Sequence, residues 1–191
     1  MADTLLNRIP RERLPEQFHL AWDTMNQLTE EPTFVEVFAN NPEMLDFVMN
    51  KFYGPVFFGG KVDQRYKQLA RLKLSIEHGC RTCNKQNVPG ALAAGLTQAQ
   101  VDAMDNFESG PFTEAEKAVL AYAAEVALTN AEGRLTPALY KRLRAYFSDA
   151  DILELGTAMA VISGMAKLSF VLNLVEKEAY CPFAGKTADA A

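Results

Sequence analysis

Helix-start signals recur along this chain while strand signals are almost absent, a pattern that confines it to an all-α architecture. Each start sets a small polar residue ahead of the first turn, where it can satisfy orphan backbone amides, or a proline within that turn, where no amide is needed. Pro15 opens a first predicted helix with Phe18, Trp22, Met25 and Leu28 on one face. Asn41-Pro42 opens a second, with Leu45, Val48 and Phe52 in register until Gly59-Gly60 stops it, and the two are expected to pair antiparallel. From 62 to about 78, Val62, Tyr66, Leu69 and Ile76 line one side of a third helix. Leu72, Leu74 and Ile76 also alternate as a strand would, but length and the lack of turn residues favour helix. Gly79-Cys80 begins a segment that reaches Gly95, with a kink expected at Pro89-Gly90, and Thr97 caps the next start. Thr113 with Glu116 forms a capping box for a helix to about 128, Thr136-Pro137 starts another, and Ser148 with Asp151 starts a last one running to about 177. The sum is a bundle of roughly eight helices in two halves, with 97–113 as a looser connection.

Composition bears on partners. The 191 residues carry 24 acidic and 19 basic side chains, a net charge of -5, and no Lys/Arg cluster of the kind that neutralises phosphates, so no nucleic-acid partner is expected. The N-terminal stretch through Phe18 lacks the apolar core of a secretory signal, and a cytoplasmic protein is expected. The longest uncharged run, 155–166, falls short of the roughly 20 residues that span a bilayer; it reads as a buried core helix, with no membrane association.

One motif carries chemistry. Three cysteines are too few for a disulfide scaffold in a chain of this length, and in a reducing cytosol a close pair is more often catalytic or metal-binding than structural. Cys80-Arg-Thr-Cys83 falls at a predicted helix start, where free amides and the positive dipole end stabilise a thiolate. Three-residue spacing brings both side chains to nearly one face, so one sulfur can attack and the other resolve. Arg81 and Lys85 add positive charge and Glu77 opposes it. The bland alternative is two small residues packed in a helix interface. A zinc site needs two further ligands, for which only Glu77, His78 and the distant Cys181 and His19 stand available; no metal and no other cofactor is expected. Cys181 itself, in Cys-Pro-Phe, reads as packing at the chain end, the aromatic set Phe47, Phe52, Tyr53, Phe57 and Phe58 as core, and Met159 and Met165 as a helix face.

The stretch 68–87, Gln-Leu-Ala-Arg-Leu-Lys-Leu-Ser-Ile-Glu-His-Gly-Cys-Arg-Thr-Cys-Asn-Lys-Gln-Asn, followed by Ala94-Gly95-Leu96-Thr97, resembles the core of the carboxymuconolactone decarboxylase-like superfamily, in its AhpD-like (alkyl hydroperoxidase D-like) branch. Asn41-Pro42-Glu43, the run 112–116 and the run 147–155 extend the likeness over most of 15–178. The resemblance implies an all-α, AhpD-like helical bundle: a single domain over 1–191 with a family core at about 60–110 and a related helical half at about 112–178. It implies an oligomer built through helical faces, a dimer, trimer or hexamer. It implies that Cys83 meets a peroxide and that Cys80 resolves the resulting sulfenate as a disulfide. The decarboxylase branch lacks such a pair.

The resemblance also brings a proton relay, whose positions fall at Gln68, Thr82 and Asn87. All three depart from the family's glutamate and two histidines. Glutamine and asparagine hold hydrogen-bond geometry but move no proton near neutral pH, which leaves His78 and Glu77 as the nearby groups able to replace the relay. The expected function is a thiol-dependent peroxidase or disulfide reductase in antioxidant defence, acting on a hydroperoxide or disulfide and recycled by a reducing thiol protein. The alternatives are a non-redox decarboxylase-type lyase, or a helical oligomeric scaffold with weakened turnover.

Overall fold

The computed structural model describes residues 4–183, and among them nine α-helices and no β-strand. Three short helices come first: α1 His19–Thr29, α2 Thr33–Phe38 and α3 Pro42–Asp46. They enclose a small core of Leu14, Phe18, Met25, Val35, Ala39 and Leu45. The sequence pairs the first and third of these directly; in the structure α2 lies between them in the chain and packs on both. The Asn41 side chain accepts the Met44 amide and Pro42 supplies the first turn, as expected of that start. Beyond Asp46 the chain continues into a π-helical run, Phe47–Phe58, which ends before Gly59.

The bundle is organised around α4, Gln64–Glu77. Nine consecutive residues of it, from Lys67 to Ser75, are buried, so it is enclosed on every side rather than amphipathic. It packs against α5 (Arg81–Ala93), α7 (Glu114–Val126) and α9 (Asp149–Val171). Full enclosure forces its charged side chains to find partners indoors. Lys67 Nζ lies 2.8 Å from Glu154 Oε1 and donates to the Phe57 carbonyl at 2.9 Å, which ties α4 both to α9 and to the end of the π-helical run. Lys73 pairs with Glu77 at 2.8 Å and donates to the Met104 carbonyl.

Helices α6 (Gln98–Asp102), α7 and α9 each open on a capping box, Thr97/Gln100, Thr113/Glu116 and Ser148/Asp151, and α8 (Pro137–Arg144) opens on the Thr136 hydroxyl. Arg65 joins two of these starts, lying 2.5 Å from Glu116 and donating to Gln100 Oε1. Burial opposes ionisation of Glu116, but the Thr113 amide and Arg65 outweigh it and hold the carboxyl below its ordinary range.

Helix α5 is continuous through Pro89 and packs on α4. Two expectations change. Helix α9 stops at Val171 rather than near 177: Asn173 takes a left-handed φ of 53°, and the chain turns back. Finally, α9 as a whole is long and apolar enough to cross a membrane, although the uncharged run inside it is not; here it packs on α4 and α7 with Glu154 turned to Lys67.

Candidate active site

The two cysteines follow a tight reversal between α4 and α5. Gly79 ends the α4 segment with φ 62°, a conformation that favours glycine, and its bare Cα is required as well, since a Cβ would meet Cys181 Cα at 2.5 Å. Cys80 is the N-cap of α5, its Sγ 3.2 Å from the Cys83 amide, and Cys83 completes the first turn. The helix-start placement read from the sequence is therefore realised. Cys80 and Cys83 are joined as a disulfide, with Cα atoms 5.2 Å apart. Cys80 is wholly buried, whereas Cys83 is half-buried, so an attacking group reaches the second sulfur first.

A strap that the sequence reading did not foresee covers the pair. After α9 the chain returns antiparallel to 79–82: Glu178 donates its amide to the Gly79 carbonyl at 2.8 Å, Thr82 Oγ1 accepts the Glu176 amide at 2.9 Å, and Cys80 faces Lys177. Arg81 pairs with Glu178 and Lys85 with Glu176 across the same seam. Their charge is thus largely spent on the strap rather than offered to the sulfurs. Cys181 is a free, buried thiol whose Sγ lies 3.0 Å from the His78 carbonyl, in one apolar cluster with Cys80, Phe170 and Val175.

Both sulfur-bearing residues line a cavity of about 110 Å³. Its walls come from α1, the π-helical run, α4, α5 and α9, and are mainly apolar; Phe52, Tyr53, Ile162 and Met165 are examples. The sequence assigns the aromatic set to the core. Phe52 and Phe57 are indeed buried, but Phe47 and Phe58 are exposed and Tyr53 borders the cavity. The polar side chains on the wall include Arg71, Ser75, His78, Thr82, Gln86 and Asn87.

The candidate relay residues are only partly brought together. His78 reaches the cavity, but its Nε2 accepts the Leu128 amide at 3.0 Å, and burial lowers its pKa to about 4. It is neutral at physiological pH, with that nitrogen already engaged. Glu77 is absent from the cavity wall and ion-paired with Lys73. Thr82 is buried and committed to the strap. Asn87 is on the wall; its Nδ2 lies 3.5 Å from the Arg71 carbonyl and its Oδ1 is buried without a partner. Gln68 lies behind the wall against Gly90, its Oε1 likewise unpartnered. Among the described residues no group of three or more His, Cys, Asp or Glu side chains is placed to hold a metal ion.

Comparison with known proteins agrees with this architecture. Residues 42–125 match the carboxymuconolactone decarboxylase family. A structure from Agrobacterium tumefaciens, described as an antioxidant-defence AhpD protein of unknown function, is 26% identical with a TM-score of 0.63, covering 71% of this chain and 91% of its own. The debrominase Bmp8, solved as a cysteine-to-alanine variant with 2,3,4-tribromopyrrole, shares the fold at a TM-score of 0.73 and 18% identity over 93% of both chains. An alkylhydroperoxidase AhpD core protein from Ralstonia eutropha JMP134, described as peroxidase-related, is 14% identical with a TM-score of 0.62 over 93% of this chain and 95% of its own. No curated protein matches the chain. The matched segment holds both cysteines, the reversal before them and the enclosed helix behind them, and over that segment the chain is similar to the carboxymuconolactone decarboxylase family, with a fold shared with AhpD-like structures.

Proposed function

We propose that the protein is a thiol-dependent oxidoreductase in which Cys83 attacks and Cys80 resolves. The observation that carries this reading is the disulfide itself: a half-buried sulfur and a wholly buried one, joined at a helix start beside a cavity. In the peroxidase form of the cycle, the Cys83 thiolate takes the distal oxygen of a hydroperoxide, the O–O bond breaks, and the alkoxide leaves to take a proton from water. Cys80 then displaces hydroxide from the Cys83 sulfenic acid, forming the disulfide and water once a proton is added. A reducing dithiol protein returns two electrons and two protons. The Cys83 amide is directed at Cys80 Sγ, and the positive end of α5 favours a thiolate in its first turn, whereas Gln68, Thr82 and Asn87 move no proton near neutral pH. The likeness to a structure described as an antioxidant-defence AhpD protein favours this peroxidase form.

The lyase alternative fits less well, because a decarboxylase needs an acid or base in the cavity and His78 is held neutral with one nitrogen engaged. The apolar cavity and the debrominase likeness favour a second reading, in which the dithiol reduces a small halogenated ring. Cys83 would take the halogen as the ring carbon gains a proton, and Cys80 would then displace halide to leave the same disulfide.

Replacing Cys83 with serine is expected to abolish hydroperoxide-dependent oxidation of a dithiol donor, while Cys181→Ser leaves it within about twofold. Unchanged turnover in Cys83→Ser overturns the redox reading, and bromide release from a brominated pyrrole without peroxide turnover selects the second form of it.

A further inference from the structure

Among the described residues, Arg71 is the one formally charged side chain on the wall of the cysteine cavity. It is 7% exposed, in the middle of the enclosed helix α4. The other buried cations of that helix are paired, Lys67 with Glu154 and Lys73 with Glu77; Arg71 has no carboxylate and no hydrogen-bond acceptor for its guanidinium among the described residues. Its guanidinium instead rests on two aromatic rings, 5.3 Å from the centroid of Tyr53 and 5.5 Å from that of Phe57. Such stacking orients the planar group and leaves its in-plane N–H donors free. A buried charge without a counter-ion is costly, and an anion bound from outside would offset that cost.

The surroundings say where that counter-ion comes from. A second, more open cleft of about 330 Å³ lies between α1 and the π-helical run, and among the described residues Arg71 is again the only charged one on its wall. The two spaces share Met25, Met49, Tyr53, Arg71 and Gln86, so Arg71 stands at the seam between an outer entrance and the inner cavity with the sulfurs. One turn beyond Cys83 on α5, Asn87 contributes a buried acceptor, Oδ1, that also lacks a partner. A free donor fork and a free acceptor on opposite helices define complementary chemistry in a ligand.

We propose that Arg71 anchors the carboxylate of the substrate, and that the substrate is a small acid: a carboxylate on a flat apolar body, with a hydroxyl or hydroperoxyl group able to donate to Asn87. This rests on the redox reading for what happens at Cys83, but the binding step does not depend on it. Guanidinium and carboxylate meet through two parallel hydrogen bonds, a match a lysine ammonium cannot reproduce. Neutral hydroperoxides of the same size forfeit that anchor and are turned over less efficiently.

Two measurements test the proposal with independent readouts. With the protein reduced, the rates at which iodoacetate and iodoacetamide modify Cys83 are compared in the wild type, Arg71→Met and Arg71→Lys. A change in thiolate fraction alters both rates alike, so their ratio reports attraction of the anion alone. The ratio is expected to fall about tenfold or more in Arg71→Met, the size of a charge-assisted hydrogen bond, and less in Arg71→Lys. With the protein oxidised, benzoate is expected to bind the wild type at least tenfold more tightly than benzamide, and the preference to vanish in Arg71→Met. An unchanged ratio, or equal binding of benzoate and benzamide to the wild type, overturns the assignment. If neither reagent reaches Cys83 while benzoate is still preferred, the redox reading falls and the carboxylate site stands.

Discussion

His78 illustrates how a residue suited to a chemical role by type is assigned another by its contacts. Its Nε2 accepts the Leu128 amide and burial sets its pKa at about 4, so it joins α4 to the end of α7 as a neutral acceptor. Above about pH 6.5 the imidazole is neutral in both the folded and the unfolded chain and contributes no pH dependence. Between about 6.5 and about 4 the unfolded chain takes up a proton that the folded one refuses, so stability falls with pH; below about 4 the loss levels off. Denaturant unfolding is expected to show the wild type losing about 2 kcal/mol more than His78→Gln on going from pH 7 to pH 5, since glutamine can accept the same amide without titrating. Parallel profiles would remove this role. The cysteine pair was legible from its spacing and the glycine before it, because both are local signals. Arg71 was not, since within Arg65, Lys67, Arg71 and Lys73 it reads as one more charge on a solvated helix. Only the burial of α4 on every side singles it out.

Elements divide in the same way between what short-range chemistry fixes and what packing fixes. The starts at Asn41, Thr97, Thr113, Thr136 and Ser148 could be read directly, because a cap is a bond between residues three apart. Helix α2, the π-helical run and the end of α9 could not. The widened run depends on Lys67 and Gln64 from the next helix bonding the Phe57 carbonyl, and α9 ends where the strap begins its return to the cysteines. Glu154 secures the first of these from α9: it pairs with Lys67 and accepts the Lys61 and Val62 amides at 3.0 and 3.1 Å. Those contacts hold its carboxyl below the usual range even though burial alone would raise it. Glu154→Gln leaves the Lys67 ammonium buried without its counter-ion, and the expected cost is about 2 kcal/mol or more in chemical unfolding. A change under about 0.5 kcal/mol would show that water replaces the carboxylate at no loss.

At the scale of the whole molecule, the sulfur pair lies where three long-range features meet: the reversal after α4, the strap after α9, and the cavity closed by the N-terminal helices. Among the described residues the outer face of α9 remains uncovered, with Leu153, Leu168 and Val171 exposed. We propose that a second copy of the chain covers it, which light scattering checks as a mass above that of one chain, reduced to a single chain by Val171→Glu. Clustering Cys181 with Cys80 raises the question of which cysteines exchange electrons, and this decides the account directly. The protein is equilibrated across ratios of reduced to oxidised glutathione, the remaining thiols are alkylated, and intact mass is recorded. Cys80 and Cys83 are expected to gain and lose alkylation together along a two-electron curve, with Cys181 unchanged throughout. Independent alkylation of Cys80 and Cys83, or a disulfide that includes Cys181, would contradict the assignment of Cys80 and Cys83 as one redox unit.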